Sequence, residues 1–252
     1  MTKGLKKFAR SQLVVPLLAL FLLIVFNLIR DVGFFALTVT TNNDGNTVLS
    51  GNIISILNGA SELAVLAIGM TLVTASSRGQ DISVGAAAAI AGSVFVRVLR
   101  ENQITMPIIL AAFLASCAVA IIFGAFNGTL VAAFKIQPMI ATLILFTAGR
   151  PIAYWINGGA TPTVESPLLG YIGSFIPGIP VPTPIIIVII FGVLVSLVLR
   201  FTNLGLYTQA VGINEKSARL NGINVVWIKI LSFMILGVCV AIAGCIGFHQ
   251  NI

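Results

Sequence analysis

The chain has 252 residues, of which 58% are hydrophobic and 8% charged, and carries a formal net charge of +7; its mean hydropathy is +1.08. A water-soluble domain of this size needs far more charge to stay in solution, so the solvent here is lipid. A nucleic-acid-binding face is excluded too, because the basic residues are spread over the sequence rather than gathered in one patch.

In chain order, the first apolar run, 12–29, follows Lys3, Lys6, Lys7 and Arg10. No A-x-A-like cleavage site follows it, so it reads as an anchor rather than a removable signal peptide. The stretch 38–50 (TVTTNNDGNTVLS) reads as a polar loop turning at Asp44-Gly45. From Leu49 to Gly59 the sequence is amphipathic and too short to cross; it lies at the interface or begins the next helix. Six more apolar runs follow: 61–77, 83–99, 107–126, 138–156, 184–201 and 227–248. Helices of roughly 17–25 apolar residues cross the hydrocarbon core, so about seven spans are expected. Pro107, Pro138 and Pro184 stand in the first turns of their runs, where a missing N–H is no loss. The connection 157–183 is long and rich in Pro and Gly, with Tyr154, Trp155, Tyr171 and Phe175 suited to the headgroup zone. It either closes two helices or receives an external partner. Residues 203–226 form a short polar helix between the last two runs. A polar helix so placed is a handle by which a soluble partner can move the membrane part.

With the N-terminus in the cytoplasm, Arg78, Lys135, Arg200, Lys216, Arg219 and Lys229 join the N-terminal lysines on or near the inside. Only Arg30, Arg97, Arg100 and Arg150 then lie outside, the bias expected of a membrane protein. Cys117, Cys239 and Cys245 all fall inside apolar runs and read as buried free thiols. His249, the single histidine, has only Cys245 and no carboxylate near it in sequence, so no metal is expected.

Small residues decide how helices meet in lipid. Gly85, Ala89 and Ser93 recur every four positions in the third run, as do Ser83, Ala87 and Ala91, which places that helix between neighbours. Gly124 and Gly128 repeat the spacing, as do Gly237, Ala241 and Cys245. Just before the third run comes the most polar stretch close to the membrane core, Arg78-Gly79-Gln80-Asp81-Ile82-Ser83. Two readings stand. Asp81 caps the following helix and favours its positive end, while Arg78 pairs with a headgroup. Alternatively a broken helix sets Arg78, Gln80, Asp81 and Ser83 beside a polar substrate pathway. Glu62 follows Ser61 at the start of a run and reads as a helix-dipole carboxylate. Gly92-Ser93 with His249 could suggest an intramembrane serine protease, though a serine in a packing face is the plainer account.

The stretch 62–93 resembles the signature of sugar ABC-importer permeases of the ribose, xylose, arabinose and galactofuranose type. Ala67, Gly69, Met70, Thr71, Leu72 and Val73 match its first part, and Gly79, Asp81, Ser83, Val84 and Gly85 its second. Residues 126–150 (FNGTLVAAFKIQPMIATLILFTAGR) resemble a further family segment. Ala210, Gly212, Asn214, Ala218, Gly222 and Ile223 resemble a third. Arg78 and Gln80 depart from the glycine and isoleucine usual before the Asp. The resemblance implies an all-α polytopic transmembrane bundle in the bacterial inner membrane, a single permease domain over 1–252, and a cytoplasmic coupling segment at 203–226. Because members of the family continue further, the domain is expected to be C-terminally incomplete. The resemblance also implies import of a monosaccharide by alternating access, with a periplasmic sugar-binding protein, a cytoplasmic ABC ATPase and a second permease subunit, like or unlike, as partners alongside membrane lipid. The ATPase would clasp a helix at 213–221. Gly212, Asn214, Glu215, Lys216, Ala218, Arg219 and Gly222 are the coupling residues so implied, with Gly212 and Gly222 punctuating the helix ends. No G-x-x-x-x-G-K-[ST] occurs, and the nearest look-alike, Gly212 to Ser217, lacks the second glycine. The chain is therefore expected to be no enzyme and to hold no cofactor, with ATP and Mg²⁺ held by the partner. An ion-coupled secondary transporter, using Glu62 or Asp81, is the alternative, as is an inactive truncated permease.

Overall fold

The computed structural model describes residues 14–41, 47–159, 164, 168–169 and 175–250, with side chains to 247. It divides into two units, 1–57 and 58–252.

In the first unit, α1 (Val14–Arg30) is apolar on every face and buries no residue. Such a helix suits lipid on all sides. The expected polar loop is instead a small antiparallel hairpin, β1 (Thr38–Thr41) and β2 (Thr47–Ser50), with Thr38 opposite Ser50 and Thr41 opposite Thr47. Its Thr and Val side chains are β-branched, which suits a pleated strand better than a loop. The Asp44-Gly45 turn lies outside the described residues. Gly51 follows at φ +137°, where a Cβ would sit 2.6 Å from the Ala36 carbonyl oxygen. Helix α2 (Asn52–Ser77) then starts at once, so the amphipathic segment at 49–59 begins the next helix. Glu62 thereby lies in the middle of α2, half-buried, and not at a helix start. The polar residues Asn52, Ser55 and Asn58 had masked the true beginning.

The second unit continues with α3 (Val84–Arg100), α4 (Met106–Ala132), α5 (Pro138–Ile156) and α6 (Thr183–Phe201). Next come α7 (Leu204–Ile213), which carries no charge, and the charged α8 (Glu215–Leu220), then α9 (Val225–Gln250). Pro107, Pro138 and Pro184 do open α4, α5 and α6. All seven apolar runs are helical. Among the described residues five helices, α2, α4, α5, α6 and α9, are long and apolar enough to cross a membrane. Helices α1 and α3 have 17 residues each and fall short of that length.

The core of this unit forms around α3, which packs against α4, α5 and α9, while α4 and α9 share the longest interface. Apolar side chains gain little by leaving lipid for each other, so close backbone approach has to hold such helices together. Glycines permit it here. A Cβ on Gly124 would strike the Phe233 carbonyl, one on Gly237 the Ala120 carbonyl, and one on Gly149 the side chain of Ala86. The Ser116 hydroxyl adds a bond from α4 to the Ala91 carbonyl of α3 at 2.8 Å. Of the two small-residue rows expected on α3, Ser83, Ala87 and Ala91 are buried. The other row is used only in part, because Gly85 is exposed and meets nothing within 4 Å. Ser93 accepts a bond from Asn157 Nδ2 at 2.8 Å, pinning the end of α5 to α3. The three cysteines are free and buried.

Candidate functional site

The turn between α2 and α3 gathers the polar residues that the sequence singled out. Helix α2 ends at Ser77, and Arg78 takes φ +57°, a left-handed conformation that glycine adopts without strain. This explains why the resemblance implies a glycine there. Gly79 then lies flat on the Pro138 ring, where a Cβ would come within 2.7 Å. The Ile82 amide donates to Thr142 Oγ1 at 3.1 Å. The turn is thus seated on the start of α5.

Asp81 is buried, and both the Ser83 amide (2.7 Å) and the Ser83 hydroxyl (2.6 Å) donate to its Oδ1. The carboxylate therefore fixes the residue that opens α3. Asn127 on α4, also fully buried, donates from Nδ2 to Ser83 Oγ at 3.1 Å and to Asp81 Oδ2 at 3.4 Å. Burial pushes the Asp81 carboxyl above its ordinary value, while the bonds from Ser83 and Asn127 pull it back. Asp81, Ser83 and Asn127 share the wall of a cavity of about 10 Å³ with Phe123, Phe233 and Val240. Room of that size suits one water and no sugar. Asp81 and Ser83 accordingly form a polar knot between helices, whereas Gln80 is exposed.

Arg78 turns in a different direction from the knot. Its Nε donates to the Gly212 carbonyl and an Nη to the Ile213 carbonyl. Those are among the last carbonyls of α7, which have no partner within their own helix, and a cation favours that end. Next to this bond Gly212 packs so closely on α2 that a Cβ would overlap the Ala75 carbonyl oxygen. Gly212 therefore lies inside α7 as a contact residue, and the expectation that it punctuates a helix end is corrected. Gly222 does punctuate, at φ +80° just past α8, with the Ile223 amide bonded back to the Ala218 carbonyl.

The single short helix expected over 203–226 is in fact two, α7 and α8, broken at Asn214, and the helix expected at 213–221 is α8. Asn214 is extended and its Oδ1 accepts from the Lys216 and Ser217 amides, both at 3.1 Å, which starts α8. An Asn cap competes well with a continuing helix. Ala218 is buried against Val211, Val225 and Ile228, a small core of its own under the segment. Glu215 pairs with Lys229 of α9, whose side chain is almost wholly buried. Outward residues include Lys216, Arg219 and three bare apolar side chains, Leu206 (66% exposed), Ile213 (75% exposed) and Leu220 (90% exposed). Changing Glu215 to Gln should destabilise the α8–α9 contact by about 1–3 kcal/mol, since it leaves a buried ammonium with a weaker partner. Thermal unfolding in detergent, with the Glu215→Gln/Lys229→Met pair as the compensated control, reads this out.

The sequence profile of the family described as "branched-chain amino acid transport system / permease component" matches residues 52–250. The chain belongs to this family. This permease domain is 44% identical over 202 residues to the galactofuranose transporter permease protein YtfT of Escherichia coli (strain K12), covering 79% of this chain and 56% of that protein. It is 35% identical over 244 residues to the fructose import permease protein FruF of Bifidobacterium longum (strain NCC 2705), covering 95% and 66%. It is also 35% identical over 205 residues to the ribose import permease protein RbsC of Escherichia coli (strain K12), covering 77% and 60%. The chain thus spans little more than half to two thirds of the length of these relatives. No solved structure matches it. Family membership and the apolar helices make this an all-α, multi-pass membrane protein.

Three residues of the site were not singled out in the sequence: Asn127, Thr142 and Lys229. Asn127 had a signal, since an amide inside an otherwise apolar helix needs a buried partner. Lys229 read only as one more inside charge, and Thr142 carried no signal above any other threonine.

Proposed function

We propose that this chain is the membrane part of a permease subunit of an ATP-binding-cassette importer in a bacterial inner membrane, with a cytoplasmic N-terminus. It carries a monosaccharide, delivered by a periplasmic binding protein, and works beside a second permease subunit. The names of the relatives support a sugar rather than an amino acid as cargo. The observation that carries the reading is the α7–α8 segment. It links two apolar helices through the charged α8 and leaves Ile213 and Leu220 bare beside Lys216 and Arg219. Exposed apolar anchors ringed by charge suit a soluble partner, and a partner that binds ATP would supply the energy this chain lacks. The ATPase holds the nucleotide and Mg²⁺, and the permease responds to its opening and closing.

Leu220→Asp should weaken ATPase binding by about ten-fold or more, the loss expected when a central apolar anchor is replaced by a charge. Pull-down from membranes measures it, with the amount of inserted permease as the control. Unchanged association, or labelling of a cysteine at position 216 from the periplasm, would refute the assignment. The ion-coupled reading leans on Glu62, inside α2, and on buried Asp81, whose carboxylate is occupied by Ser83 and Asn127. Uptake that persists without the ATPase and collapses with the ion gradient would favour it.

A further inference from the structure

We infer that Arg78 is the positioning residue that couples the α7–α8 segment to the polar knot, so that a displacement of the segment is delivered to the start of α3. This rests on the reading of α7–α8 as the ATPase-facing part. Four observations support it. Arg78 is separated from Gly212 by 134 residues in sequence, yet its guanidinium forks onto two successive carbonyls at the end of α7. It holds a left-handed backbone, which a non-glycine residue keeps only where its contacts repay the strain. Gly212 removes any side chain between α7 and the Ala75 carbonyl, so the two backbones lie in direct contact at this point. Three residues further on, Asp81 and Ser83 are bonded to Asn127 of α4.

The path is therefore short and polar. It runs from the α7 carbonyls through the guanidinium into the turn, and through the Asp81 carboxylate to Ser83, just ahead of α3, and to Asn127 of α4. A planar fork holds direction as well as distance, which a single ammonium does not. A second tie, Glu215 to Lys229, fastens α8 to α9. The segment is thus fixed at both its helices, to different spans, and tilting it loads the α2–α3 turn and α9 together.

The test uses the full chain in lipid vesicles, spin-labelled at Thr74→Cys on α2 and Ser217→Cys on α8, both exposed positions. With Arg78 present the pair should give one narrow distance. Arg78→Gly removes the fork at a backbone position glycine takes freely, and Arg78→Lys keeps the charge without the fork. Both should lose the single narrow distance, the glycine variant more completely. Retention of the narrow distance in both variants overturns the inference. In cells that also make the ATPase and binding protein, uptake of radiolabelled galactose, ribose and fructose is followed in turn. Sugar taken up per ATP hydrolysed should fall about ten-fold in Arg78→Gly, within the usual range of coupling free energies. A broadened distance with unchanged uptake per ATP overturns the coupling role. If the wild-type chain moves no sugar, the transport reading fails on its own, and the distances still decide whether Arg78 holds the segment.

Discussion

Gly124→Leu should separate α4 from α9 and leave the permease domain unable to hold its helices together. A leucine there drives its Cβ into the Phe233 carbonyl, and the backbone of Phe233 and Met234 cannot swing aside as a side chain would. Overpacking against movable side chains costs about 1–3 kcal/mol. Against a backbone the expected loss is at the top of that range or beyond it. The same substitution at Gly85 provides the control, since nothing lies within 4 Å of a Cβ there. Both variants insert equally if the spans alone decide insertion. Size-exclusion profiles and melting curves in detergent should then show early unfolding and aggregation for Gly124→Leu and near-wild-type behaviour for Gly85→Leu. Equal behaviour of the two would mean that the α4–α9 contact does not hold the fold.

Asp81→Ala should be the most damaging polar substitution. It strips the acceptor from the Ser83 amide and hydroxyl and one acceptor from Asn127. Buried donors left without partners cost about 1–3 kcal/mol apiece, partly relieved where water can enter. A net loss of about 2–3 kcal/mol is expected, with transport abolished. Asp81→Asn keeps a carbonyl oxygen for Ser83 and should recover much of the stability. Asp44→Ala, far from the knot in sequence, should change little. Comparable effects at positions 44 and 81 would reduce Asp81 to a dispensable cap.

The helices were legible in the sequence because lipid selects on a crude property. Run length, first-turn prolines and small-residue spacing located α5, α6 and α9 to within a few residues, while α4 runs six residues past its expected end. Gly124, Gly128 and Gly237 were readable as contact points for the same reason, since only small residues let backbones touch. The failures share a cause as well. Glu62 was misplaced because the polar residues of the first turns of α2 hid its start. Gly212 looked like a punctuation mark because a glycine's contact with Ala75, far off in sequence, leaves no local trace. The Arg78 fork spans 134 residues and could not be seen at all. Ala218 was grouped with the surface residues by its motif, yet it belongs to the small core that seats the segment.

Helix α6 makes a contrasting point. Only Thr183 and Pro184, at its first turn, are buried. Val188 and Phe191 pack against the main core, while Ile189, Ile190, Val193, Leu194, Leu197 and Val198 are exposed and answer to the acyl chains around them. Selection at those exposed positions thus acts on oiliness, not on shape: Ile, Val, Leu and Phe are interchangeable there, while a single added methyl group at Gly124 or Gly237 would be purged.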